Sequence, residues 1–324
     1  MSHDMIIDLH PTEDQQMIAD SIGGMLADAL PVSRLREESG HAGAIERSLW
    51  NDLAEMGLFG MGIAEEDGGA GYGLPEEIVA ARELGRVLAS PSVLAQMAAV
   101  HLSEDNVREA LIAGKERAAF AARGLGGEVL LFDGAGADHV VLLSDTAVLA
   151  SCEMFDWQSA VSMDETLTIH RSPHTDPTED TRSPIADRIS LLLSAALSGM
   201  AHGATALAVE YASQREQFGQ PIGSFQAIKH QLADMRVRAD AADSQTMVAA
   251  VAFGRGNNDR NEVAAARWLA GDAAISNAKA GIQVHGGMGF TAECDAHLFL
   301  KRAHTFASLG SSRRAEERRL LDQQ

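Results

Sequence analysis

Arg215-Glu216-Gln217-Phe218-Gly219-Gln220-Pro221-Ile222-Gly223-Ser224-Phe225-Gln226 closes one long helical pattern and opens the next. Upstream, Pro184 to Phe218 is long enough for one extended helix, with apolar residues at Ile189, Leu192, Leu193, Ala196 and Met200 in helical spacing. Downstream, helices read from about Phe225 to Arg255 and from about Asn261 to His285. Helices this long without heptad order predict antiparallel bundle packing. Ile189 to Val209 has the length of a membrane span. Its Ser, Gly and Ala content and His202 fit instead a helix buried inside that bundle.

Working towards the N-terminus, the period changes. From about Lys115 to Ser172 the apolar runs are short: Val129–Phe132, His139–Leu143, Ala147–Ala150 and a further LTIH. Turn chemistry separates them, so a small β segment is expected. Arg171 to Pro184 is polar and proline-rich and reads as a linker. From Pro11 to about Gly114 the pattern is helical again. Thr12 precedes Glu13 and Asp14 as a cap, a second helix reads from about Ala44 to Met56, and a third opens at Leu74 with Pro75, Glu76 and Glu77 in its first turn. The expected division is an N-terminal helical domain (1–114), a small β domain with linker (115–183) and a C-terminal helical bundle (184–324).

The chain has 324 residues, 46% hydrophobic and 22% charged, a folded composition. Its formal net charge of −20 argues against nucleic acid or an anionic membrane surface as partner. The two cysteines, Cys152 and Cys294, have neither disulfide-framework nor zinc spacing. His10, His41, His170 and His174 are scattered, and no HExxH occurs, so no metal site is expected. The first residues carry no basic stretch followed by an apolar run, which fits a reducing cytoplasm.

Two segments could carry chemistry. In Arg215–Gln226, an Arg and an aromatic at the end of a helix, with a turn and a Gln beyond, can hold a phosphate and pack an adenine. The same residues also make an ordinary helix end with a cation and a glycine stop. In Gln283-Val284-His285-Gly286-Gly287-Met288-Gly289-Phe290, consecutive glycines let a ligand approach the backbone, or simply cap the helix. Gly287 to Ala292 loosely matches a dinucleotide pattern, but it follows a helix rather than a strand.

Together, R-x-x-F-G-x-x-I-x-x-F-Q at Arg215–Gln226 and Q-V-H-G-G-x-G-F at Gln283–Phe290 closely resemble the acyl-CoA dehydrogenase family. LAEMGLFGMGIAEEDGGAGYG at Leu53–Gly73, followed by ARELGRVLAS, resembles the family's first helical domain. The resemblance implies an N-terminal helical domain, a β domain that is reduced here, a C-terminal four-helix bundle, FAD, acyl-CoA thioesters, and dimers or dimers of dimers. It also implies a flavin site built by two chains. Arg215, Gln217, Phe218, Ile222, Phe225, Gln226, Gln283, Gly286 and Gly287 then belong to the half that reaches across to the ADP part of the neighbour's FAD.

The other half departs from the family. Its members remove an α proton with a carboxylate while a hydride leaves the β carbon for flavin N5. Of the two positions that base takes in the family, one falls on Gly310 and the other on Ile189. Asp187 is an outside candidate, but two residues along a helix turn a side chain by about 200°. The family's TEP-x-A-GSD and Trp-Ile-Thr/Ser stretches, which hold the flavin ring and thioester, have no counterpart in Gly124–Leu143 or around Trp157. The chain therefore resembles the short, non-catalytic partner in heteromeric bacterial enzymes, several of which act on steroid side-chain CoA thioesters. The alternatives are a self-sufficient homomeric dehydrogenase or flavin oxidase with a displaced base, and a cofactor-free assembly scaffold. The basic cluster Lys301, Arg302, Arg313, Arg314, Arg318 and Arg319 could hold a phosphate, but reads more simply as a solvated helix face.

Overall fold

The computed structural model describes residues 9–37, 46, 48–124, 126–144, 146–173, 184–256 and 259–321. The N-terminal part holds α1 (Glu13–Ala29), the short α2 (Arg34–Glu37), α3 (Trp50–Glu55), α4 (Leu74–Arg86), α5 (Pro91–Leu102) and α6 (Asp105–Ile112). Thr12 caps α1 in a reciprocal box with Gln15. The expected Ala44–Met56 helix is interrupted at Leu49, a turn residue, with Glu46 and Ser48 helical before it and α3 after it; residues 38–45 and 47, with His41, lie outside the described residues.

A six-stranded sheet follows: β1 (Ala118–Arg123), β2 (Val129–Phe132), β3 (His139–Leu143), β4 (Ala147–Ser151), β5 (Gln158–Ala160) and β6 (Ile169–Ser172), in the order β4-β3-β1-β2-β6-β5. Only β1 and β3 pair in parallel. Alternation could find neither the three-residue β5 nor β1. The AAFAA of β1 is buried throughout and sits in the middle of the sheet, so no polar face marks it. Ala118, Phe120 and Ala122 face the main core, while Ala119 and Ala121 face a second cluster with Val129, Leu131, Val140, Leu142 and Phe155. Of the expected linker, Arg171 and Ser172 belong to β6; residues 174–183, with His174, lie outside the described residues.

The last part contains α7 (Pro184–Gln214), a two-residue-stranded hairpin β7 (Glu216–Gln217) and β8 (Gln220–Pro221), α8 (Gln226–Gly254), α9 (Arg260–His285), α10 (Ala296–Ser308) and α11 (Arg313–Leu321). α7 is the central helix. Its residues Leu191–Ala201 are all buried, which explains a stretch apolar on every side, and 72% of its most apolar window lies inside the protein. A buried Asn277 ties three helices together. Its Nδ2 donates to the Ala201 carbonyl and Thr205 hydroxyl of α7 and to the Met235 carbonyl of α8. Buried amides must be satisfied, so this knot fixes the register of the bundle.

Arg302 corrects the reading of the basic cluster. It is 1% exposed. Its guanidinium donates to Asp164 (3.1 Å) and Thr166 (2.8 Å) of the β lobe and to the Leu88 and Ala89 carbonyls beyond α4. Lys301 pairs with Glu165. Arg313, Arg314 and Arg318 do lie on an exposed face; Arg319 is half-buried.

Candidate functional site

The Arg215–Gln226 segment makes the turn between α7 and α8. Phe218 (φ +55°) and Gly219 (φ +81°) are its two central residues, so the hairpin needs positive φ twice. Gly219 adopts this freely; Phe218 does so at a cost of about 1 kcal/mol or more. The strained backbone holds the Phe218 ring 93% exposed, with only an edge contact to Phe225 at 6.2 Å between centroids. Arg215, Gln217 and Gln226 are exposed, while Ile222 and Phe225 are half-buried. Ile222 packs beside Ala208, Ala212, Met235 and Val284, which roots the turn in the bundle.

The Gln283–Phe290 segment lies at the same end of the bundle. His285 ends α9, and Gly286 (φ +63°) turns the chain into a short 3-10 helix over Gly286–Phe290. Gln283, Gly286 and Gly287 are exposed, and a Cβ at either glycine would meet nothing within 4 Å. Phe290 is 78% and Met288 48% exposed. The two segments are joined by a pair that sequence reading did not single out. Tyr211 stacks on His285 with centroids 4.2 Å apart, and the His285 Nδ1 bonds the Gly281 carbonyl at 2.7 Å. Tyr211 precedes Arg215 by one helical turn, and its carbonyl accepts the Arg215 N–H. The sequence signal was available: an aromatic one turn before the Arg, and a histidine inside the glycine motif.

Gly310 and Ile189, far apart in sequence, line one small cavity between the sheet and the bundle. Ser144 and Thr146 of the β3–β4 hairpin, Ser190 of α7, and Glu316 and Arg319 of α11 also line it. Its volume is about 30 Å³, room for a water or two. Asp187 is buried and is not among the lining residues. The carboxylate that is present, Glu316, accepts from Arg319 Nη1 through both oxygens at 3.1 Å. Gly310 itself has φ +77°, a conformation that a Glu would adopt only under strain. Behind it, Arg267 donates to the Phe306 and Leu309 carbonyls, at 2.7 and 2.6 Å, and holds the turn after α10. Burial pushes the Arg267 guanidinium down to about 10. No group of three or more metal-ligating side chains occurs among the described residues.

Residues 12–107 match the family model "Acyl-CoA dehydrogenase, N-terminal domain" and residues 187–312 match "Acyl-CoA dehydrogenase, C-terminal domain". The chain belongs to the acyl-CoA dehydrogenase family. This is an FAD-binding family of oxidoreductases acting on CH–CH bonds. Acyl-CoA dehydrogenase IpdE2 of Mycobacterium tuberculosis is 35% identical over 317 residues, covering 96% of this chain and 97% of that one. Acyl-CoA dehydrogenase FadE34 of the same organism is also 35% identical, over 86% of this chain but 42% of its own length. Among solved structures, the Tcur3481-Tcur3483 steroid acyl-CoA dehydrogenase variant superposes with a TM-score of 0.79 at 24% identity, covering 96% of this chain and 97% of that one. The ChsE4-ChsE5 complex of M. tuberculosis gives 0.79 at 21%, with 98% of each chain covered. These likenesses give the fold: N-terminal helices, a small sheet and a C-terminal helical domain.

Proposed function

We propose that this acyl-CoA dehydrogenase is the non-catalytic, half-site subunit of a heteromeric enzyme that introduces an α,β double bond into an acyl-CoA. One contrast carries the reading. The end of the bundle that bears Arg215 and Phe218 is open and aimed outward, while the cavity that joins Gly310 to Ile189 is nearly full. A flavin ring and a thioester need hundreds of Å3, and about 30 Å3 is left. The open end suits half of a dinucleotide. Arg215 supplies charge to a phosphate, Phe218 and Phe225 supply aromatic faces, and Gln217, Gln226 and Gln283 supply amides; Gly286 and Gly287 leave the backbone bare. Ile222 anchors the loop from below. These residues would hold the ADP half of an FAD whose ring would be held by the partner chain. Hydride-accepting chemistry would be supplied by that flavin, and the base and most of the substrate contacts would come from the partner.

Likeness to IpdE2, of nearly the same length, and to structures of two-protein complexes supports a heteromer, as a dimer or a dimer of dimers. The steroid acyl-CoA dehydrogenase among those structures makes a steroid side-chain CoA the substrate class to try first. The limits 1–114, 115–183 and 184–324 are proposed as the domains, and the cytoplasm as the compartment.

The visible spectrum of the purified chain tests this. Alone it should carry little flavin. Co-purified with a full-length family member encoded beside it, the complex should carry flavin and dehydrogenate acyl-CoA. Arg215→Ala should then lower flavin retention about tenfold, the worth of one charge-assisted bond. About one flavin per chain in the isolated protein would sink the reading, as would unchanged retention in the Arg215→Ala complex.

A further inference from the structure

α11 lies against the cavity of Gly310 and Ile189, and its inward face is unusual for a wall of that kind. Glu316 is 2% exposed and points its carboxylate to Arg319 rather than to solvent. A second cavity, of about 50 Å3, lies behind the same helix and shares Ser311 and Glu316 as lining. α11 therefore stands between two small voids. Two buried polar atoms at that second void, Arg267 Nη1 and Ser311 Oγ, have no hydrogen-bond partner. Voids and unpaired buried polar atoms are few in protein interiors, and two of the six unpaired side-chain atoms among the described residues lie beneath this one helix.

The helix is held from outside. Trp268 Nε1 donates to Glu317 at 3.0 Å, Arg313 pairs with Asp272 at 3.0 Å, and the Arg313 guanidinium lies 4.9 Å from the centre of the Trp268 ring. Arg313 is about half exposed, and exposed pairs of this kind each contribute less than about 1 kcal/mol. The inner pair is different. It places a carboxylate and a guanidinium in the cleft between sheet and bundle. Gly310 makes the sharp turn that starts α11 on this path.

The geometry points to α11 as a built-in stopper: the Glu316–Arg319 pair fills this chain's own cleft and keeps any second flavin ring or thioester out of it. The inference rests on the half-site reading above, because only there is the cleft a vacated one. It adds that the cleft is shut by a specific pair of side chains on a helix pinned by surface contacts, and so can be opened.

Ser190 lines the cleft and is half-buried, so Ser190→Cys is a conservative reporter. In a chain with Cys152→Ser and Cys294→Ser, a fluorescein maleimide, too bulky for the present cleft, should label this thiol slowly. Adding Glu316→Ala and Arg319→Ala should speed labelling by about tenfold or more, with the circular dichroism spectrum unchanged. Equal labelling with and without the pair overturns the stopper. Should the double variant fail to fold, hydrogen exchange on the unsubstituted chain decides. α11 amides as slow as those of α9 support the stopper, and amides as fast as a frayed end overturn it. Flavin content separates the two readings. A chain that purifies with its own flavin overturns the half-site assignment, whereas a flavin-free chain with a freely labelled Ser190→Cys overturns the stopper alone.

Discussion

His202 lies on α7 with its side chain 9% exposed, 4.0 Å from Asp240. Burial pushes its pKa down to about 4; Asp243 and Asp240 pull it up, and Arg86 and Arg82 push it further down. Its imidazole is therefore neutral in the folded protein at pH 7. In the unfolded chain it takes a proton near pH 6.5. The folded pKa is the lower one, so its contribution is complete above about pH 6.5 and is lost as pH falls towards 4. The size is about 3 kcal/mol at most. Urea midpoints of the chain and of His202→Gln, compared at pH 7.5 and pH 4.5, should converge on the acid side. A constant difference across that range would show that His202 does not titrate this way. At this same scale the sequence names Arg215 and Phe218 directly, because each lies in a short motif, and Gly310 by its distance from the Gln283 motif. It cannot show that Phe218 is strained or that Gly310 and Ile189 meet.

Between elements, the tightest approach is that of α4 and α7. A Cβ built on Gly85 would sit 2.0 Å from the Ala196 carbonyl oxygen, and one on Gly199 would sit 2.0 Å from that of Arg82. On Gly203 it would come within 2.6 Å of the Phe299 ring. The glycines let two backbones touch where any side chain would hold them apart. Gly199→Ala gains about 1 kcal/mol of helix propensity. It loses about 1–3 kcal/mol or more to overpacking, since the obstruction is backbone and cannot rotate away. A net loss in chemical denaturation is expected, and a variant as stable as the parent would mean that α4 and α7 can separate freely. The spacing of Gly199 and Gly203 is visible in the sequence as part of a small-residue stretch. Which helix it receives is not.

Across the whole molecule, Arg302 joins all three parts. It reaches Asp164 and Thr166 of the β lobe and the carbonyls of Leu88 and Ala89. Leu88, at φ +53°, also receives a bond from Arg34, which pairs with Glu46 as well; Glu46 in turn accepts the Ser90 N–H. Ser90 in turn donates to Asp133 at the end of β2. Burial pushes the Asp133 carboxyl up, Glu46 adds to this, and the Ser90 bond opposes it. This hub is buried and charged, so removing one member leaves the others uncompensated. Arg302→Met should cost about 3–5 kcal/mol, read as a fall in thermal or urea stability. A cost below about 1 kcal/mol would mean that the hub relaxes around the loss.

The sequence by itself determined the order of parts, the long buried α7, strands β2, β3 and β4, and the two motifs at Arg215–Gln226 and Gln283–Phe290. Periodicity and short motifs are local, and local chemistry is written residue by residue. Tertiary structure decided the rest. It put β1 in the middle of the sheet, where burial on both faces erases alternation. It drew Arg302 inward from a run that reads as solvated, because its partners lie 136 or more residues away in the chain. It also brought Gly310, Ile189 and Glu316 to one cleft and left that cleft nearly full. Whether a pocket is open depends on volumes summed over several elements, and no single segment carries that information.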